Sequence, residues 1–219
     1  MAAKNEGADV RLYLLVHKAF RETGRELAEA LAGLDASDTT RVNGIADIWE
    51  FYSRQLHHHH VNEDEVIWPT LVQRNFAYAE LEREMQKEHA EIDAVLDPSD
   101  AAVSAMRRSP SPATVKAAAD AVAAFAKELN QHLDHEEEIA LRALHETLGR
   151  AEFDKMGEAF FKSIPKDDLP YAAASLDEWA RKTPAADRPP PPPLPARVLT
   201  ALSWRRKYRK FVAPIRDAS

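Results

Sequence analysis

The amino-acid sequence predicts an all-α protein whose centre is an up-down four-helix bundle. In four long segments, apolar residues recur every three to four positions, which is the spacing of one helix face. Only 6 glycines occur among 219 residues, and no run alternates between polar and apolar for long enough to indicate a sheet. Four long amphipathic helices with short connections favour a four-helix bundle.

The bundle helices follow from this periodicity and from the residues that end helices. These rules place the helices at about residues 9–34, 38–75, 76–96 and 112–148. The second helix should bend at Trp68-Pro69, because proline lacks a backbone N–H group. Clustered prolines and serines predict a loop at 97–112, and Gly149 ends the fourth helix. The bundle domain is therefore expected to occupy residues 9–148.

Three smaller segments are predicted to follow the bundle. Residues 149–187 should form a helical extension of two or three short helices. Five consecutive prolines within 188–195 indicate a stiff polyproline II spacer. Residues 196–219, the basic tail, combine apolar residues with seven Lys or Arg and one Asp, which is typical of a basic amphipathic helix. Its expected contact is the chain's own bundle, a membrane surface or an acidic partner.

Composition and charge exclude several functional classes. The formal net charge is −7 for the whole chain, and since the basic tail contributes +6, the remainder carries −13. This balance argues against a nucleic-acid partner for the body of the protein. The absence of cysteine excludes disulfides, thiolate ligands and cysteine nucleophiles. Because Met1–Val10 does not resemble a secretory signal and no apolar run reaches about 18 residues, we expect a soluble, cytoplasmic protein.

The most informative motif is a His-x-x-x-Glu pair that occurs twice, 73 residues apart. The copies are His59/Glu63 and His132/Glu136. A helix turns by about 100° per residue, which places both pairs in the apolar stripes of the second and fourth helices. An ionised carboxylate in a helix core is costly unless it is paired or coordinated. Two such carboxylates in the same register indicate a metal site.

An internal repeat adds one histidine to each pair. Offsets of 72 and 73 residues align the two halves of the bundle and place His17 on His89, each at the margin of an apolar stripe. Either histidine alone would fit a hydrogen-bonded core residue, but their joint register favours ligation. The candidate metal ligands are His17, His59, Glu63, His89, His132 and Glu136.

These ligand types restrict which metal ions the site could bind. Imidazole with carboxylate suits iron, manganese or zinc, whereas the absence of sulfur disfavours copper(I) and iron–sulfur clusters. Six ligands exceed the four that a structural zinc ion prefers. Two metal ions bridged by Glu63 and Glu136 fit better, although zinc or manganese that only holds the bundle together stays an alternative.

Four separated elements of the chain form a specific pattern: His17, His59–Pro69 (HHVNEDEVIWP), Glu88-His89 and His132–Glu138 (HLDHEEE). This pattern resembles the hemerythrin-like, or HHE cation-binding, domain over about residues 9–148. The resemblance implies a cofactor of two non-haem Fe ions with oxo or hydroxo and carboxylate bridges. It implies the same six residues as iron ligands, and a small diatomic ligand or peroxide as the reactant.

The chain departs from the oxygen-carrying hemerythrins that it resembles at one point. Those proteins have two histidines one turn apart on the third helix, whereas here the positions beside His89 are Met85 and Asp93. We therefore expect one iron to lack a nitrogen ligand. That vacancy favours reaction with a small oxidant over reversible carriage of O₂.

The run of four histidines leaves one ligand ambiguous. His57 and His58 should be solvated, but His60 also points toward the apolar stripe and is an alternative to His59. If His60 replaces His59, Asp64 becomes the rival carboxylate.

The functional expectation is a di-iron protein that binds or reacts with peroxide, nitric oxide or O₂, in oxidative or nitrosative stress or in iron handling. As an enzyme it would be peroxidase-like, catalase-like or NO-reducing. The alternative is a non-catalytic module that senses O₂, NO or iron, or binds oxygen, and signals through its tail.

Overall fold

The computed structural model of the chain is helical throughout its main segments and describes residues 7–217. Its α-helices are α1 (Arg11–Ala32), α2 (Thr39–Asn62), α3 (Trp68–Arg74), α4 (Ala79–Arg108), α5 (Pro112–Thr147), α6 (Arg150–Ser163), α7 (Leu169–Lys182), α8 (Leu194–Leu199) and α9 (Arg205–Arg216). No β-strand occurs among the described residues, so the all-α prediction is confirmed.

Residues 1–6 and 218–219 lie outside the described range. The first six residues belong to the segment judged not to resemble a secretory signal, and the last two belong to the basic tail. Between residues 7 and 217, no helix combines the length and the apolar character that crossing a membrane requires.

Helices α1, α2, α4 and α5 form the bundle: helices consecutive in the chain contact each other, and α5 also contacts α1. The start of α1, the α3 segment, the start of α4 and the end of α5 share one hydrophobic cluster. Consecutive helices must therefore run in opposite directions, which is the predicted up-down arrangement. A second, larger cluster occupies the other half of the bundle.

A π-helical turn at Glu63–Ile67 joins α2 to α3. The Trp68 N–H donates to the carbonyl of Glu63, five residues earlier. Pro69 has no N–H with which to make the normal α-helical bond, which explains why the regular pattern breaks here. At this turn Val66 is 39% exposed, whereas Ile67 is buried.

The predicted loop at 97–112 is wrong for most of its length. Helix α4 continues through Pro98 to Arg108, and only residues 109–111 connect it to α5. A proline inside a helix costs about 3 kcal/mol. The continued helix buries Val103 and Met106, and each such side chain contributes about 1.5–3 kcal/mol when fully buried.

The basic tail packs against the rest of the chain through α9, which contacts α1, α2 and α7. Tyr208, Val212 and Ile215 are buried in the larger hydrophobic cluster. The Arg216 guanidinium donates to Glu26 of α1 at 2.8 Å and to Glu178 of α7 at 3.0 Å. One face of the tail is therefore fixed to the bundle.

Gly44 on α2 packs directly against Pro214 of the tail. A Cβ atom at this position would lie 2.4 Å from Cγ of Pro214 in α9. Only glycine allows the two helices to meet at this distance.

We expect Gly44→Ala to destabilise the protein by displacing α9, although alanine is the better helix former. Overpacking typically costs about 1–3 kcal/mol. Gly157→Ala in α6 is the matched control, because no atom lies within 4 Å of the added Cβ. Urea denaturation should give a lower free energy of unfolding for Gly44→Ala than for Gly157→Ala. Equal values would contradict the close packing of the tail.

Candidate metal site

Seven polar side chains meet in the middle of the bundle, between the two hydrophobic clusters. They are His17, His59, His60, Glu63, His89, His132 and Glu136, and each is between 0% and 4% exposed. The six residues that the sequence analysis named are all present, and they lie together with a seventh, His60. Each bundle helix, with α3 as the continuation of α2, packs into one hydrophobic cluster near one end and into the other cluster near its other end. The site residues lie between these two parts of each helix, so they meet at the same height in the bundle.

The first group of donors consists of His17, His59, Glu63 and Glu136, whose donor atoms lie within 4.8 Å of one another. The Nε2 atoms of His17 and His59 are 3.3 Å apart. Nε2 of His59 is 3.2 Å from Oε1 of Glu63, and Nε2 of His17 is 3.6 Å from Oε2 of Glu136. This group therefore has two imidazoles and two carboxylates.

The second group consists of His60, His89 and His132. Nε2 of His89 is 3.6 Å from Oε2 of Glu63, and Nε2 of His132 is 3.4 Å from Oε2 of Glu136. Both glutamates thus face both groups of histidines. A carboxylate in this position can contribute to two cation sites at once.

His60 is the residue that the sequence analysis did not assign to the set. It does not replace His59: both lie in the site, and the His60 ring stacks on His89 with centroids 4.1 Å apart. The second group therefore holds three imidazoles, although neither Met85 nor Asp93 supplies one. The signal was the inward direction of His60 on the helical wheel, together with the histidine run immediately before the π turn.

Three of the imidazoles are oriented by carboxylates outside the cluster. Nδ1 of His17 lies 2.9 Å from Glu137, Nδ1 of His89 lies 2.8 Å from Asp64, and Nδ1 of His132 lies 2.8 Å from Glu88. A carboxylate only accepts hydrogen bonds, so each Nδ1 donates and leaves Nε2 free for a cation. None of these three contacts was predicted from the sequence.

Tyr13 supports the site from α1. Its hydroxyl donates to Oε1 of Glu136, and its ring packs 4.4 Å from that of His17. The hydrogen bond fixes one carboxylate oxygen and leaves the other facing the histidines.

Burial controls the protonation of the cluster. Desolvation raises the pKa of the Glu63 and Glu136 carboxyls well above the ordinary value, with smaller contributions from Asp64 and Glu137. Desolvation also lowers the pKa of His59 and His60 well below the ordinary value, and neighbouring imidazoles add to the effect. The pKa of His132 falls to about 4 for the same reason, although Glu88 opposes the shift. Burial therefore disfavours the charged forms of both Glu63 and its close neighbour His59.

Seven of the atoms that face the centre of the site have no hydrogen-bond partner among the described residues. They are both carboxylate oxygens of Glu63, Oε2 of Glu136, both ring nitrogens of His60, and Nε2 of His89 and of His132. Buried polar atoms without partners are rare, since each costs about 1–3 kcal/mol. Imidazole nitrogens and carboxylate oxygens are suitable donors for iron, manganese or zinc, so this set of residues fits a cation.

The remaining histidines lie apart from the cluster. His57 is exposed, and His58 contacts Ser163 at 2.9 Å. His135 forms a surface group with Glu84 and Glu88, and Nδ1 of His145 is 3.1 Å from the carbonyl of Ala8.

A mostly apolar cavity of about 70 Å³ adjoins the site. Phe20 forms part of its wall, and the Phe20 ring lies 5.3 Å from that of His59. The opposite wall comes from α6, α7 and α9, including Phe160, Tyr208 and Phe211. Because a single water needs about 10–15 Å³, this space is large enough for a small molecule.

This geometry defines a class of protein: a helical bundle with a buried imidazole–carboxylate centre for metal cations. A family model described as the hemerythrin HHE cation binding domain matches residues 9–153. The chain belongs to the hemerythrin HHE cation-binding family, which confirms the resemblance drawn from the sequence. No curated protein and no solved structure matches the chain.

His60→Ala is expected to weaken metal binding, because it removes an imidazole that faces the site with both ring nitrogens unpartnered. We expect a loss of at least about tenfold in affinity, since even residues that only support a ligand have effects of this size. His57→Ala is the control, because His57 is exposed on the same helix. Elemental analysis after dialysis against a graded chelator measures the difference. The same metal content in both variants would remove His60 from the site.

The pH dependence of the metal-free chain should reveal its two buried carboxyls. A folded-state pKa raised above the ordinary 4.5 stabilises the fold only while the carboxyl is protonated, so this contribution is lost as pH rises. Glutamine stays neutral at every pH. We therefore compare the melting temperature of the double variant Glu63→Gln/Glu136→Gln with that of the unaltered chain. The difference, variant minus unaltered chain, should increase from about pH 5 to about pH 8.

The buried histidines have the opposite effect on how stability depends on pH. Their lowered pKa removes stability as pH falls, because only the unfolded chain takes up these protons. Both chains contain the same histidines, so this effect largely cancels in the difference. A difference that is constant with pH would show that the carboxyls are not neutralised by burial.

Proposed function

We propose that the chain is a non-haem di-iron protein that reacts with a small oxidant, namely nitric oxide, O₂ or peroxide. The observation that carries the proposal is the pair of buried carboxylates facing two groups of histidines, in a member of a cation-binding family. Two cations would neutralise these carboxylates and use the unpartnered nitrogen atoms. Bound iron would supply redox chemistry and an attachment point for the oxidant.

The unequal donor sets indicate where a small molecule has access. His60, His89 and His132 supply three imidazoles on one side, whereas His17 and His59 supply two on the other. A metal ion on the His17 and His59 side therefore has more room for an external ligand. The vacancy expected beside Met85 and Asp93 stays a prediction, and His60 is a further candidate ligand on the side of His89.

The adjoining cavity favours a diatomic molecule over peroxide. Its wall includes Phe20, which contacts His59. His59 is on the side of the site that supplies only two imidazoles. Hydrogen peroxide would lose hydrogen bonds on entering a mostly apolar space, whereas NO and O₂ have few to lose. The chain's own contribution is to exclude water and to keep each Nδ1 proton of His17, His89 and His132 in a hydrogen bond to an outer carboxylate.

A sensing function is the second candidate, and one observation favours it. The cavity wall includes Tyr208, Phe211 and Val212 of α9, so a molecule in the cavity would contact the basic tail directly. Occupancy could then alter how the tail packs. In this case the protein would respond to the oxidant without consuming it repeatedly.

Stopped-flow absorbance of the iron-loaded protein with NO, O₂ and peroxide in turn tests the proposal. We expect about two irons per chain and faster reaction with NO or O₂ than with peroxide. Many turnovers per chain would identify an enzyme, and a single stoichiometric change would favour the sensor. A chain that retains only zinc or manganese, or iron that none of the three reagents affects, would refute the proposed function.

Ala19→Phe should close the route through the cavity, because Ala19 lines it next to Phe20. We expect the rate with NO and O₂ to fall at least about tenfold, which is about 1.4 kcal/mol on the barrier. Ala124→Phe is the control, since Ala124 is exposed on α5. Unchanged rates at unchanged iron content would exclude this route.

A further inference from the structure

The outward face of the segment 194–210 has an unusual composition. Its residues at four-residue spacing, namely Leu194, Val198, Leu202, Arg206 and Lys210, are all exposed. Thr200, Tyr208 and Val212 lie two positions out of phase with them and are buried. The segment therefore has one face fixed to the bundle and an opposite face, the outer stripe, that is apolar in its first half and basic in its second.

Large apolar side chains are concentrated on this segment. Leu202 is 79% exposed and Leu194 is 67% exposed, and Val198 and Leu199 are each more than 40% exposed. Elsewhere in the described chain, Phe76 and Val66 are the exposed large hydrophobic residues. Exposed apolar residues that occur together, rather than singly, mark a contact surface.

The cations beside these residues lack acidic partners. Arg206, Arg209 and Lys210 form no ion pair within residues 7–217, unlike Arg205 and Arg216, which bind Asp177, Glu26 and Glu178. Arg206 and Arg209 also line a pocket of about 420 Å³ between α7 and the tail, together with Arg181, Arg205, Leu202 and one carboxylate. That carboxylate, Glu178, is paired with Lys182 and Arg216. An arginine-lined pocket next to leucine side chains matches a phosphate headgroup joined to an acyl chain.

Charge and shape both favour a membrane surface over an acidic protein. The remainder of the chain has a formal charge of −13, so only the tail would turn toward an anionic surface. The leucines and Val198 project outward as a ridge, whereas an acidic peptide would need a groove to bury its own side chains. A lipid interface deforms around such a ridge.

We propose that the outer stripe binds the surface of an anionic phospholipid membrane, with Leu194, Val198 and Leu202 inserted among the acyl chains. Arg206, Arg209 and Lys210 contact the lipid phosphates. Because α9 is already packed on the bundle, the surface is formed before binding and no helix has to fold on the membrane. The protein would attach at the periphery and would not cross the bilayer.

Flotation of the full chain with vesicles tests this inference. Vesicles of phosphatidylcholine with phosphatidylglycerol should bind the protein, and vesicles of phosphatidylcholine alone should bind it at least about tenfold more weakly. Added salt should weaken binding, because exposed charges are screened. Soluble glycerol phosphate should not compete, since it lacks the acyl chains. Full competition by glycerol phosphate would indicate a free phosphate site and overturn the membrane assignment.

Matched variants distinguish binding through the outer stripe from nonspecific binding through other exposed residues. Leu202→Ser and Arg206→Glu should each reduce binding at least about tenfold, while circular dichroism confirms that both stay folded. Phe76→Ser is the control for the leucine, because Phe76 is also 79% exposed, and Lys127→Glu on α5 is the control for the charge. Equal binding by variants and controls would overturn the proposal, as would capture by polyglutamate without binding to any vesicle.

Discussion

The two carboxylates of Glu63 and Glu136 impose the constraint on which the rest of the structure depends. Both are fully buried, and three of their four oxygens have no hydrogen-bond partner among the described residues. A hydrophobic bundle of this size could exclude such groups. The chain instead places the two carboxylates at the same height on facing helices and surrounds them with five imidazoles. Burying these polar groups is costly unless bound cations pair with them.

Much of the bundle could be predicted from the sequence because helix periodicity and burial follow the same rule. His17, His59, His89 and His132 were found because each sits in or beside an apolar stripe, where a polar residue is conspicuous. Two features escaped this reasoning. The continuation of α4 past Pro98 depends on the tertiary burial of Val103 and Met106, which local propensity does not contain.

The other feature is the role of His60 and of the residues around it. A prediction based on an ideal α-helix does not contain the π turn at Glu63–Ile67. It therefore cannot show which way the side chains point after the histidine run. Asp64, Glu88 and Glu137 are polar residues in a charged sequence, and only the folded bundle shows that each contacts the outer nitrogen of a particular imidazole. Single residues on a helix face can be predicted, whereas pairs between helices require the packing itself.

The outer carboxylates make the two groups of histidines unequal as donors. Asp64, Glu88 and Glu137 accept hydrogen bonds from His89, His132 and His17, which makes these imidazoles more basic. In addition, Arg21 binds Glu137 at 2.6 Å and so offsets this effect at His17 alone. A cation held by His89 and His132 would consequently meet the stronger donors, so that the two sides of the centre would differ in their affinity for a metal ion.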